Sequence, residues 1–113
     1  MDHPQCIQFR VLLKADQCGH WVAHALEVDV VAQGRNLAEA KSAFVKTMIG
    51  HIVLALKKQR VPFEGIGKAP KSVWNLFEKG EELSNPIMIP ASARRKFRNT
   101  APILPESIMA RVA

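Results

Sequence analysis

Apolar and polar residues alternate from the seventh position. Ile7, Phe9, Val11 and Leu13 fall on one side and Gln8, Arg10 and Lys14 on the other, the two-residue period of a half-buried strand. Asp16-Gln17-Cys18-Gly19 supplies turn chemistry, with Gly19 able to take the positive φ of a tight hairpin. The chain is therefore expected to fold back over His20–Leu26. That run sets Trp21, Ala23 and Ala25 on one face and His20, Val22, His24 and Leu26 on the other, so neither face reads as plainly solvent. A break at Glu27-Val28-Asp29 leads to Val30-Val31-Ala32-Gln33, β-branched enough for a third strand, which Gly34 closes. The pattern predicts an antiparallel meander.

Asn36 then stands as an N-cap with Glu39 three residues later, an Asn version of the capping box. Leu37, Ala40, Phe44, Met48, Ile52 and Ala55 follow steps of three and four, and Val45, Ile49, Val53 and Leu56 widen the stripe. Lys57 and Lys58 complement the helix dipole before Pro62 stops the helix. The spacing predicts a helix over roughly 36–59 that covers one face of the sheet.

Beyond Pro62 the punctuation thickens, with Gly65, Gly67, Pro70, Gly80, Pro86, Pro90, Pro102 and Pro105, and mostly irregular chain is expected. A short helix from Pro70 through Phe77, stopped by Gly80, is the exception, packed down by Trp74 and Phe77. Ile87-Met88-Ile89 reads as an extended segment, and Ser107–Val112 as a last strand completing the sheet. The expected class is α+β: an antiparallel sheet of three to four strands with one long helix on one face (β-β-β-α-β), a short second helix and a Pro-rich C-terminal segment. Residues 1–113 form one domain, with its core in 7–60 and an irregular extension over 61–113.

Length supports that reading, because 113 residues lie near the commonest single-domain size. No apolar run is long enough to cross a bilayer, and the start, Met1-Asp2-His3-Pro4-Gln5-Cys6, lacks the features of a secretory leader. A cytoplasmic location is expected, with Cys6 and Cys18 as free thiols. Sixteen Lys and Arg against ten Asp and Glu give a net charge of +6, which favours acidic partners without specifying one.

Candidate chemistry is sparse. Cys18, His20 and His24 would share a face if the alternation holds, and sulfur with imidazole is a zinc-type set. A fourth ligand is lacking, so no metal is expected. No nucleophile, base and orienting group can be named around the two cysteines and four histidines. The acids Asp16, Glu27, Asp29 and Glu39 fall near strand and helix ends, where carboxylates commonly cap turns. Gly65-Ile66-Gly67 lacks the helix and third glycine of a phosphate loop. The chain reads as a non-enzyme without a cofactor. Its densest positive cluster, Arg94, Arg95, Lys96 and Arg98 around Phe97, is a candidate nucleic-acid contact. A sheet covered on one side leaves Val22, His24 and Leu26 on the other as a candidate dimer or partner face, and a homodimer is expected.

Three segments carry a family resemblance: Phe9-Arg-Val-Leu-Leu-Lys-Ala-Asp, Gly19-His-Trp-Val-Ala, and Val31-Ala-Gln-Gly-Arg-Asn-Leu-Ala-Glu-Ala. Together they resemble the HicB-like antitoxins, over residues 7 to about 60. The resemblance implies a degenerate ribonuclease-H-like fold without its catalytic acids, and a small ribonuclease toxin as partner. Two features depart from that family. Leu26-Glu27-Val28-Asp29-Val30 replaces its common Pro-Gly-Cys-like bend, and no pair of helices for a ribbon-helix-helix or helix-turn-helix module follows. Binding through Arg94, Arg95, Lys96 and Arg98 is the alternative function, and metal-dependent hydrolysis at Asp16, Glu27 or Asp29 a third.

Overall fold

The computed structural model of the chain describes residues 8–97 and 104–113. Strand β1 (Arg10–Ala15) pairs antiparallel with β2 (Trp21–Ala25), and β2 with β3 (Val31–Gly34), as the alternation predicts. Helix α1 (Leu37–Lys57) follows. Asn36 caps it, its side-chain oxygen accepting from the Glu39 backbone N–H at 2.8 Å, while the Glu39 carboxylate accepts from Arg35 Nε at 3.1 Å.

Gly34 joins β3 to this helix by a close approach. A Cβ built there would lie 2.3 Å from the Ala40 nitrogen and 2.6 Å from the Glu39 carbonyl carbon. Only a residue without a side chain lets the strand end so near the first helical turn.

The second half is more ordered than its prolines suggest. It contains α2 (Lys71–Lys79), β4 (Glu81–Glu82), β5 (Ile87–Met88), α3 (Ala91–Lys96) and β6 (Ser107–Val112). Pro70 and Pro90 stand immediately before α2 and α3 with φ of −58° and −57°, and Pro86 and Pro105 precede β5 and β6. Proline is tolerated where a helix or strand begins, so it divides this segment into short elements without abolishing them.

The sheet is mixed and six-stranded, which corrects the expectation of three to four antiparallel strands. Its order is β3-β2-β1-β6-β4, with β5 also pairing β6. Strand β6 runs parallel to β1, with Arg10 opposite Met109 and Leu13 opposite Val112, and antiparallel to β4 and β5. A two-residue strand carries no readable period, and the direction of β6 follows from the long connection before it.

One sheet face presents Val11, Leu13, Ala23, Ala25, Ala32, Ile108 and Ala110, all buried. Phe44, Val45, Met48 and Ile52 of α1 close over part of it. Ile87, Ile89, Ala93, Phe97 and Leu104 from the second half belong to the same cluster. The described residues after position 61 thus supply part of the core instead of forming an irregular extension.

The opposite face is not bare, a second correction. Leu12 and Leu26 pack with Phe77 of α2, bordered by Val73, Trp74 and Met109. The chain reaches this side through the connection after α1, where Ala69 N–H donates to the Leu26 carbonyl (2.9 Å) and Asp29 N–H to the Gly67 carbonyl (2.7 Å). A four-residue apolar spacing, Val73 and Phe77 on α2, provides the covering stripe.

Candidate functional site

The predicted metal and catalytic candidates are held in separate structural contacts. Asp16 organises the β1–β2 turn: its Oδ1 accepts from the backbone N–H groups of Cys18 and His20, both at 2.9 Å. Its Oδ2 lies 3.7 Å from His20 Nδ1. Cys18 is exposed in that turn as a free thiol. His24 instead faces Asp29, Nε2 to Oδ1 at 2.6 Å. Among the described residues no group of three or more His, Cys, Asp and Glu side chains is arranged to hold a metal ion. Cys6 lies outside the described residues.

Glu27 is engaged elsewhere again. Its two oxygens accept from the Arg10 backbone N–H and from Arg10 Nε, each at 2.7 Å, tying β1 to the end of β2. The Arg10 guanidinium lies 4.7 Å from the centre of the Trp74 ring. Arg111 on β6 stacks at 4.6 Å on Phe77 and donates from one terminal nitrogen to the Phe77 carbonyl at 3.1 Å. These two arginines, invisible as a pair in the sequence, fasten α2 to the sheet by cation–π contact. Alternation does place Arg10 opposite the core side of β1, but nothing local names Trp74 as its partner.

An open depression of about 710 Å³ lies at the starts of β1 and β6, bordered by Phe9, Arg10, Glu27, Pro105 and Met109. Arg10 and Glu27 already neutralise each other across it.

The three residues of the predicted partner face separate in their exposure. Leu26 is fully buried under α2, because the turn into Glu27 draws it against Leu12 and Phe77. Val22 and His24 are half-buried on the stretch of sheet beyond α2. Cross-strand register adds Val31 beside His24 and Gln33 beside Val22, with Lys14 on the other side of Val22. Val31 is 49% exposed, an unusual state for a valine in a strand. Strand β3 pairs only with β2 among the described residues, so its outer edge continues this open stretch. In the sequence Val31 is visible as a β-branched residue of the third strand, and only the register with β2 places it beside His24.

The basic cluster is a helix instead of a loop. Arg94, Arg95 and Lys96 lie on α3, whose Ala93 and the following Phe97 are buried. Arg94 Nε donates to the Ile89 carbonyl at 3.3 Å, and Lys96 Nζ lies 5.6 Å from the Phe97 ring centre. Arg98 lies outside the described residues.

No family model, curated protein or solved structure matches the chain. Among the described residues, no helix is long and apolar enough to cross a membrane.

Proposed function

We propose that this chain is a non-catalytic, HicB-like protein-binding domain of the antitoxin kind, acting in the cytoplasm and self-associating through the open stretch of its sheet. The observation that carries the reading is the uncovered surface of Val22, His24, Val31 and Gln33, continuous with the free edge of β3. An exposed β-branched residue beside unpaired strand amides is a template for a second strand. The local charges suit a protein partner, because His24 and Asp29 answer one another there.

The engagement of Asp16, Glu27, Asp29 and Glu39 in turn, strand and cap contacts supports a binding role over hydrolysis. A small basic toxin would have to dock away from the positive helices, since like charges oppose association. The sheet face meets that condition.

Light scattering on size-separated protein at micromolar concentration tests the proposal. The dimer is expected for the unaltered chain, and Val31→Lys is expected to give a monomer with an unchanged circular dichroism spectrum. A monomeric unaltered chain, or a Val31→Lys variant that stays dimeric, would overturn this assignment of the face.

A further inference from the structure

The three cations of α3 belong to a larger surface. Helices α1 and α3 both pack on the sheet face that carries Val11, Leu13, Ala23 and Ala110, since residues of both enter one core cluster with them. Their outward sides therefore point away from the same face of the sheet. On these sides α1 exposes Lys46, Lys57 and Lys58, and α3 contributes Arg94, Arg95 and Lys96. The one acid on either helix, Glu39, is already paired with Arg35. The elements away from these two helices are mixed in sign: α2 carries Lys71 and Lys79 beside Glu78, and β4 carries Glu81 and Glu82. The net charge of +6 is thus unevenly distributed.

Lys46 and Lys57 are eleven residues apart, so they lie on nearly the same side of α1 and stand about 16.5 Å apart along its axis. That length exceeds the roughly 12 Å width of a major groove, enough to reach phosphates on both of its walls. Lysine is depleted in protein–protein interfaces and aromatic residues are enriched. Four of the six cations, Lys46, Lys57, Lys58 and Lys96, are lysines. The large exposed apolar residues among those described are Val31, Leu54, Val61, Leu76 and Met88, none of them aromatic. A single strand held by base stacking would need such rings.

We propose that the α1–α3 surface binds a nucleic-acid double helix through its phosphates, without reading base sequence. This surface lies on the other side of the sheet from Val22 and Val31 and does not depend on the dimer reading. With about five phosphates contacted, the slope of log affinity against log salt is near −4.5, a loss of roughly 500-fold between about 50 and about 200 mM salt.

Fluorescence anisotropy with the full chain and a labelled random-sequence DNA duplex of about 20 base pairs, against oligo(dT) of the same length, provides the test. Lys57→Gln with Lys58→Gln, and separately Arg94→Gln with Arg95→Gln, are each expected to reduce the slope by about 2. Lys71→Gln with Lys79→Gln on α2 should leave it unchanged, and all three double variants should retain the circular dichroism of the unaltered chain. The proposal is overturned if the duplex does not bind at low salt, if oligo(dT) binds more tightly, or if the α2 variant weakens binding as much as the others. Because Val31→Lys leaves these helices untouched, loss of the dimer and loss of duplex binding are separable.

Discussion

The two faces of the sheet are covered by different means. On the first, a 21-residue helix and the neighbouring 87–97 segment bury a continuous apolar layer, with Phe44, Met48 and Ile52 at 1% exposure or less. On the second, a nine-residue helix sets its one buried residue, Phe77, on Leu12 and Leu26 of the sheet side. Arg10 and Arg111 add stacking contacts at its margin. Burial of apolar area stabilises in proportion to its extent, so the first face holds the fold and the second holds only its own helix. The smaller cover also explains why open sheet remains beyond it.

If that contrast is right, breaking the two attachments gives different outcomes. The larger effect belongs to Gly34→Ala, where the new Cβ meets backbone atoms of the first turn of α1 and cannot be relieved by a side-chain rotation. A cost of about 3 kcal/mol is expected, read as a lower midpoint in urea for every probe of structure together. A shift under about 0.5 kcal/mol would show that the β3–α1 joint is not tight.

Phe77→Ala sharpens the comparison from the other side. It removes the central side chain of the smaller cluster, with an expected cost of about 2–3 kcal/mol, somewhat below the usual range for a buried Phe because few residues surround it. Hydrogen exchange should accelerate over 71–79 while the amides of 37–57 stay protected, the sign of local opening. Equal acceleration in both helices would mean that the two faces form one cooperative unit.

The same contrast marks what was legible in the sequence. The meander and α1 were readable because each is local: a two-residue alternation around Phe9, Val11 and Leu13, then a three-to-four step from Leu37 to Leu56. Asn36 announced the start of the helix by its own chemistry. The cover of the second face was half readable, since Val73, Trp74 and Phe77 name an amphipathic helix but not the surface beneath it. Arg10 with Glu27 and Trp74 could not be read at all, because those contacts join residues 17 and 64 positions apart. The parallel placement of β6 depends on how the chain crosses from β5, which no period in Ser107–Val112 records. For the candidate surfaces, the cations of α3 were visible as a run and those of α1 as a polar edge. Their placement on one side of the sheet required the packing of both helices on a shared face.

The smallest expected effect concerns the end of α1, on the well-covered side. Lys58 is the C-cap, and the next residue, Gln59, has φ of 54°. Gln59 N–H donates to the Leu56 carbonyl at 3.1 Å, and Arg60 N–H to the Ala55 carbonyl at 2.8 Å. These are the two bonds of a Schellman motif, in which the left-handed position is commonly glycine. A side chain there crowds the following carbonyl at a cost of about 1–2 kcal/mol, which glycine avoids, although glycine also gives the unfolded chain more freedom to lose. The balance predicts that Gln59→Gly stabilises the protein by about 0.5–1 kcal/mol. Thermal unfolding of the single variant measures this directly, and its gain should persist unchanged in the Phe77→Ala background, because α1 and α2 lie on opposite faces and share no contact in either cluster. A gain that disappears in that background would couple the two faces more strongly than their separate cores allow.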